Sequence, residues 1–594
     1  MLRIPEPVKG CRPLKMTIVV AGLLATLGCR PDSQSDFDGG ESQISEAPPL
    51  VPLFSDVSHQ VGLNHLHNDG PPFSYEFPRS MGSGCGWIDA NGDGRLDAIV
   101  VNGGTKVEPG SYGPLAFLSL QTPDGRFVDS SAYAGFHGPG YGMGLAAGDI
   151  DNDGDTDVYL TKYGPDQLFL NDGSGHFTDV SGTAGIVNPQ WSTAAAFVDL
   201  NSDGWLDIVV ANYVDYFPGT FCADGAGRQE FCGPQDFSGA PNRIFINLGQ
   251  SEDGTLHFAD KSGDLGIATA PGKSLGLACR DFDYDGSMDI FVANDGEANQ
   301  LWMKRSGDYV DEAYLRGVAV NRFGEPEANM GTALADFSND GEMDMVVTHL
   351  SGEMNTLWQG NAEGQFIDRT SQLRMGPAGL AQTGFGVVAA DINNDGNADL
   401  VVANGKVKRD RHGSESTQGF WDGYAEYNQV FLGDGTDLTE VSDGPLGITS
   451  TKGVYRGLAT GDYDQDGDLD LLVSAIGGPA RIYRNDCPKT AHWLCVIPFD
   501  SDRKRVAVGA RVLASSAGKV WASELLPHLS YLSSSELSVH FGFGNVSELT
   551  GVSICWPDDP GFIEDFPTTE TDVRVIVKKG TGTRRPVKMK SESR

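Results

Sequence analysis

Between residues 53 and 486 the chain alternates short apolar runs with polar, Gly-rich turns. Runs such as Asp207-Ile-Val-Val-Ala211 are β-branched and too brief for helices, and no long helical or heptad pattern interrupts them. They therefore predict strands. One recurring unit reads as strand A, a nine-residue polar loop, strand B, strand C, a Gly turn and strand D. Gln167-Leu-Phe-Leu-Asn171 and Phe177-Thr-Asp-Val180 supply C and D in one copy, and Asn355-Thr-Leu-Trp358 and Phe366-Ile-Asp368 supply them in another. Seven such units predict an all-β fold, a seven-bladed β-propeller over residues 53–486, in which each four-stranded sheet buries its apolar faces against its neighbours.

The two ends of this region fit together. The last unit offers A (Tyr455 to Gly461), B (Asp470 to Ala475) and C (Ala480 to Asn485) but no D. Leu53 to Ser58 reads as a D strand without its own A, B and C. It is expected to complete the seventh sheet and to remove an exposed edge. Meander topology puts all A–B loops on one face. The long B–C insertions at 211–241 and 404–427 fall on the other, with His65, His67, His137 and His349.

Each A–B loop carries Asp at its first, fifth and ninth positions and Gly at its sixth. Alternate oxygens around a tight turn suit a hard cation such as Ca²⁺. The expected ligand sets are Asp89, Asn91, Asp93, Arg95 and Asp97 in loop one, and Asp149, Asp151, Asp153, Asp155 and Asp157 in loop two. Loop three offers Asp199, Asn201, Asp203, Trp205 and Asp207; loop four offers Asp281, Asp283, Asp285, Ser287 and Asp289. Loop five has Asp336, Ser338, Asp340, Glu342 and Asp344, and loop six has Asp391, Asn393, Asp395, Asn397 and Asp399. Loop seven has Asp462, Asp464, Asp466, Asp468 and Asp470. The seventh position varies freely, so its backbone carbonyl is the expected ligand there.

An EF-hand would need Glu at position twelve and flanking helices; here that position is Val or Leu inside a strand. Plain Asx turns could also use these aspartates, but several carboxylates in one turn repel unless a divalent ion neutralises them. Up to seven structural Ca²⁺ are expected. Loops two, four and seven supply four carboxylates and should bind most tightly.

The formal net charge is −38, and twenty-four of the 81 acidic residues sit at loop positions one, three, five and nine. Such acidity argues against nucleic acid as a partner. Residues 1–28 resemble an export signal: Arg3, Lys9, Arg12 and Lys15 precede an apolar stretch from Met16 to Leu27. Thr26-Leu27-Gly28-Cys29 resembles a lipoprotein processing site, with lipid expected on Cys29, and residues 29–52 read as a polar tether. An exported protein, in a bacterial cell envelope or secreted, follows, with membrane contact only through that anchor. Cys222 and Cys232 are expected to pair, Cys487 and Cys495 form a weaker second pair, and Cys85 and Cys279 read as buried thiols.

The segment from 487 to 580 reads as a small all-β unit, with strands near 506–513, 519–525, 537–542 and 551–556, followed by a basic tail at 581–594. The repeats resemble the FG-GAP/VCBS type. Trp493-Leu494, Val508-Gly509-Ala510-Arg511-Val512, Ser530-Tyr531-Leu532-Ser533, His540-Phe541-Gly542-Phe543-Gly544 and Trp556-Pro557 resemble the ASPIC/UnbV domain. With the insertion Cys222…Phe231-Cys232-Gly233-Pro234, the chain is similar to the bacterial branch of the cartilage acidic protein family, departing from it at Lys406, where relatives carry His. The resemblance implies a secreted or surface calcium-binding propeller and no particular reaction.

The expected function is a non-catalytic binding or adhesion module for an extracellular glycan or protein. Lys406, Lys408, Arg409, Arg411, His412, Trp421, Tyr424 and Tyr427 would hold the ligand, facing Tyr213, Tyr216 and Phe217. Packing of the insertions onto the blades is the plainer role for the same aromatics. An extracellular polysaccharide lyase or hydrolase using His65 and His67 is the alternative. No nucleophile elbow, zinc-protease helix or phosphate loop is present.

Overall fold

The computed structural model describes residues 53–71, 74–104, 106–108, 111–371, 380–409, 419–442, 447–516, 518–567 and 570–586. The expectations for the signal, the tether and Cys29, for Arg411 and His412, and for residues 587–594 lie outside these residues.

Seven four-stranded antiparallel sheets account for residues 54–485. Their first strands are Cys85–Ile88, Tyr141–Gly148, Ser192–Val198, Ser274–Arg280, Thr332–Ala335, Gly384–Ala390 and Tyr455–Gly461. Every nine-residue loop joins a first strand to a second, as the repeat predicts. The fourth strand of the seventh sheet is Phe54–Asp56, antiparallel to Arg481–Asn485, with Phe54 opposite Asn485 and Asp56 opposite Tyr483. First strands of consecutive sheets touch in chain order, and Tyr455–Gly461 touches Cys85–Ile88 in turn.

This packing explains the near-continuous apolar runs. Ser192–Val198 and Asp207–Asn212 are buried at every residue, because each sheet has a neighbour on both faces. Ile99, Leu145, Val158, Leu160 and Phe169 pack together from the first two sheets. Each such side chain contributes about 1.5–3 kcal/mol. One-turn helices, which the strand pattern did not predict, follow several fourth strands. In Ser131–Ala134 and Ser181–Ala184 the turn is set by Asp129 and Asp179, each accepting from the Ser backbone N–H and hydroxyl two residues on. Gly135 and Gly185 end them at φ 88° and 80°.

The C-terminal unit holds two sheets. His492–Asp500 is flanked by Val539–Gly544 and, in parallel, by Val573–Lys578. Arg511–Ser516 lies between Lys519–Glu524 and Gly551–Cys555, and Phe562–Phe566 and Thr583–Pro586 extend that sheet. Val512, Trp521, Phe541, Phe543, Ile554 and Trp556 form the core between them. The four strands read from sequence are present with shifted ends. His492–Asp500, Phe562–Phe566, Val573–Lys578 and Thr583–Pro586 were not read, and the unit runs past 580 to Pro586. Arg584 and Arg585 pair with Asp559 and Asp565 of the same unit. Between Glu524 and Val539 the chain leaves this unit and bonds to the first strands of six of the seven sheets.

Candidate metal centres

The seven loops share one hydrogen-bond plan. In loop two, Asp149 Oδ1 accepts from the Asp153 N–H at 3.2 Å and Oδ2 from the Gly154 N–H at 2.9 Å. Asp153 Oδ1 accepts from the Asp155 N–H at 2.9 Å. Residues four and six of each loop take left-handed backbone: Asn152 at φ 61° and Gly154 at 106°, Tyr284 at 54° and Gly286 at 90°. Gly is required at position six, where a side chain would be strained, and position four favours short polar residues for the same reason.

The ninth-position aspartates have a role the spacing did not reveal. Asp157 is fully buried; its Oδ2 accepts from the Ile150 N–H at 2.9 Å and its Oδ1 from the Asn171 N–H at 2.9 Å. Asp97, Asp207, Asp289, Asp344, Asp399 and Asp470 tie their own loop to the end of their third strand in the same way. These residues are first of all clamps. Each oxygen keeps a second lone pair, so the clamp does not prevent cation binding.

Burial and like charge hold these carboxyls above their ordinary range. Burial, then neighbouring aspartates, pushes Asp149 to about 7 and Asp151 to about 6. Burial likewise pushes Asp97, Asp207, Asp281, Asp344, Asp399 and Asp462 to about 7 and Asp289 to about 8. Asp157, Asp391 and Asp470 are raised well beyond the carboxylate range. A bound divalent ion would reverse this penalty.

Whether the donors fit a cation can be tested on their positions. Oxygens of Asp149, Asp151 and Asp157 lie within 4.8 Å of one another, as do those of Asp281, Asp283 and Asp285, and of Asp462, Asp464 and Asp470. These are loops two, four and seven, the three with Asp at position three. Asp283 Oδ1 is buried without a hydrogen-bond partner, as is Asp468 Oδ2, which lies outside the loop-seven group and faces Lys489 at 4.0 Å. Hard oxygens, closely grouped and partly unpaired, fit Ca²⁺.

The loops differ in their cations. In loop four, Arg305 reaches Asp283 at 2.7 Å and Asp285 at 3.1 Å, and Arg316 reaches Asp283 at 3.0 Å. Lys489 pairs with Asp466 in loop seven, and Arg95 with Asp93 in loop one. Loop two has no ion pair among the described residues. Third strands aligned at the clamp place Arg305 where the other repeats carry Thr122, Asp172, Leu248, Asn361, Asp434 and Asp486, so the alignment of repeats alone singles it out.

The C-terminal unit covers this loop face, which the sequence did not foretell. Arg503 donates to the Asp203 carbonyl at 3.0 Å, Arg505 to Gly204 at 3.3 Å and Lys519 to Gly396 at 3.5 Å. Arg511 donates to the Gly341 carbonyl and sits 4.5 Å over Tyr284. His540 Nε2 lies 2.7 Å from Asn394 Oδ1. Arg280 and Glu524, both buried, form a two-pronged pair at 2.7 and 2.8 Å across the junction.

On the opposite face the two insertions meet. Trp421 stacks on Phe231 at 5.5 Å and donates to Asp69 at 2.8 Å; Arg409 pairs with Glu230 at 3.1 Å. Lys406 lies 3.9 Å from Glu426. The ligand contact expected of Tyr213 and Tyr424 is corrected: both are fully buried, and their hydroxyls donate to Asp295 and Glu230. Tyr216 is buried among Phe77, Tyr163, Trp191 and Phe237. Insertion packing has taken these rings; Phe217 alone of that wall stands exposed.

Of the histidines, His65 is buried with Nε2 2.7 Å from Ser119 Oγ and its ring stacked on Phe117. His67 and His349 are buried as well, and desolvation lowers them to about 4 and about 3. Cys222 and Cys232 are bonded, with Cα atoms 5.1 Å apart. Cys487 and Cys495 are separate buried thiols, correcting the second pairing, and Cys85 and Cys279 are also buried and free.

A family model of the FG-GAP-like repeat matches residues 89–160, 149–210, 281–347 and 336–402. One of the ASPIC and UnbV domain matches 500–584. The chain is thus an FG-GAP-repeat protein with a C-terminal ASPIC and UnbV domain. It is similar to cartilage acidic protein 1 of Xenopus tropicalis, 26% identical over 506 residues, covering 81% of this chain and 71% of that protein. The same protein of Mus musculus is 25% identical over 546 residues, covering 87% and 75%. A solved lectin from Agrocybe aegerita that recognises terminal N-acetylglucosamine aligns at 14% identity and TM-score 0.37, covering 61% of this chain and 80% of the lectin. A Bacillus licheniformis rhamnogalacturonan lyase aligns at 14% identity and TM-score 0.37, covering 73% and 76%.

Proposed function

We propose that this protein is an extracytoplasmic, calcium-stabilised seven-bladed propeller, closed by its N-terminal strand, that serves as a non-catalytic binding or adhesion module for an extracellular glycan or protein. The observation that carries the calcium reading is the grouping of three carboxylate oxygens within 4.8 Å in loops two, four and seven, with a buried oxygen of Asp283 lacking a hydrogen-bond partner in loop four. Pairing of Phe54–Asp56 with Arg481–Asn485 and the cyclic contact of first strands support closure. The FG-GAP and ASPIC/UnbV matches support an extracellular role. Calcium would be held by the side chains at loop positions one, three, five and nine and the backbone carbonyl at position seven, and it would supply charge neutralisation rather than a reaction. Arg409 and Trp421, both only partly buried, with Lys406 beside them, remain the surface we assign to the ligand.

Equilibrium dialysis against millimolar Ca²⁺, read by elemental analysis of protein and dialysate, tests the metal reading. We expect at least the loop-two, loop-four and loop-seven sites to retain calcium; protein that holds none, and takes up none on titration, would overturn it. Binding to a glycan or protein array that persists unchanged in Arg409→Ala/Trp421→Ala would remove the assigned ligand surface.

A further inference from the structure

Residues 527–536 lie outside both sheets of their own domain and are held by six of the seven first strands. His528 Nε2 accepts the Cys279 N–H at 3.0 Å, in the fourth sheet. Ser530 exchanges backbone bonds with Thr332 of the fifth, at 2.6 and 3.3 Å, and its hydroxyl accepts from Val387 of the sixth at 3.0 Å. The Leu532 carbonyl accepts from Leu145 of the second sheet at 3.2 Å. In the first, Ser534 accepts from Trp87 and donates to Cys85. In the seventh, Ser535 Oγ accepts from Thr460 and the Glu536 N–H donates to its carbonyl at 2.9 Å.

Two features mark this segment as inserted under constraint. Ser530 and Leu532 take φ of 88° and 57°, which side chains avoid unless their surroundings enforce it. Tyr531, fully buried, packs edge-on to Phe385 and donates to the Met81 carbonyl at 3.2 Å. The Gly residues that recur in the first strands make room for it. A Cβ on Gly84 would stand 1.6 Å from the Leu532 oxygen, and one on Gly457 2.7 Å from Ser533 Oγ.

The domain carrying this segment is anchored through loop carbonyls. Asp203, Gly204, Gly341 and Gly396, which accept from Arg503, Arg505, Arg511 and Lys519, are the fifth and sixth residues of their loops. Those residues form the turn that a metal bound by positions one, three and five would order. On the calcium reading above, we propose that residues 527–536 are a built-in peptide ligand of the propeller axis, and that its seating and metal binding reinforce each other. Reciprocity is then required: whatever the metal adds to seating, seating adds to metal affinity.

Hydrogen exchange with and without chelator, on the full chain, tests this. We expect the Ser530, Ser534 and Glu536 amides to be protected in Ca²⁺ and to exchange at least tenfold faster after chelation, while Leu168 and Val430 within the outer strands stay protected. Gly84→Ala, which collides with residues 527–536, the plug, and leaves every loop intact, should exchange fast even in Ca²⁺ and bind Ca²⁺ about tenfold more weakly. Arg503→Ala, a milder change that removes one anchor, should weaken Ca²⁺ binding about threefold if Gly84→Ala does not fold. Chelation that strips calcium, by elemental analysis, yet leaves plug protection unchanged would overturn the coupling and leave the calcium reading standing. Protein that takes up no calcium would overturn both.

Discussion

Loops two and four have the same aspartates at positions one, three, five and nine, yet their surroundings are opposite. Asp151 and Asp153 in loop two face no paired cation among the described residues, and burial with like charge holds Asp151 at about 6. Loop four sets Asp283 and Asp285 against Arg305 and Arg316, themselves tied to Glu312 at 3.1 and 2.9 Å. Burial raises Asp281 and Asp289 as it raises Asp149, but only loop four already holds two paired cations among the described residues. Counting carboxylates ranks them equal, whereas their neighbours rank loop two as the tighter metal site. Affinity follows the net charge that the ion meets, since opposite charges within a few ångströms are worth several kcal/mol at low effective dielectric.

The largest expected effect is removal of all metal. Ligand that binds only the folded state adds about 2.7 kcal/mol per site at a hundredfold excess over Kd, so chelation should lower Tm markedly, as scanning calorimetry would read. Asp151→Asn should reproduce a larger part of that loss than Asp283→Asn. Equal losses would break the distinction between the loops, and an unchanged Tm in excess chelator would break the structural role itself.

Next in size are two substitutions of opposite sign in metal-free protein at pH 7.5. Asp151→Asn removes a like charge and should stabilise by roughly 1 kcal/mol. Asp283→Asn removes the partner of two arginines and should destabilise by about 1–2 kcal/mol. The pH dependence follows from the raised carboxyls. Asp149 and Asp151 bind protons in the folded state up to about 7 and about 6, but unfolded only near the ordinary carboxyl value of 3.8. Metal-free folded protein therefore holds more protons across that window, and their contribution to stability, complete below it, is lost as pH rises through it. The Asp151→Asn gain should accordingly shrink as pH falls below about 6 and vanish only below about 3.8. A gain that persists below that would show that burying the ionised carboxylate beside like charge is not its source.

How much of this was legible beforehand depends on the range of the interaction. The nine-residue spacing, the strand order and the pairing of residues 54–56 with the last sheet all rest on local periodicity, which a sequence displays directly. Asp97, Asp157 and their counterparts were read as ligands but also proved to be clamps, because their partners Gln121 and Asn171 lie one strand away. The aromatic residues of the insertions were read as a ligand wall; Tyr213 and Tyr424 are instead buried by contacts with Asp295 and Glu230. Ser530-Tyr531-Leu532-Ser533 was recognised as a motif without a place, since nothing local says that it enters the first strands of other sheets. Where it binds is fixed by glycines of other sheets, above all Gly84, more than four hundred residues earlier.

The smallest expected effect is the most direct measure of the arginines. Arg305→Gln keeps a long polar side chain at the end of the third strand but withdraws its charge from Asp283 and Asp285. Arg316 still reaches Asp283, and the Arg305 side chain is 30% exposed, so water already screens part of its field. The gain in calcium affinity at loop four should therefore be modest, about threefold, or roughly 0.6 kcal/mol. Titration calorimetry on a background with loop two disabled by Asp151→Asn would resolve it. Affinity that falls on losing Arg305 would mean that the guanidinium positions the carboxylates for the ion rather than competing with it, and loop four would then rank beside loop two after all.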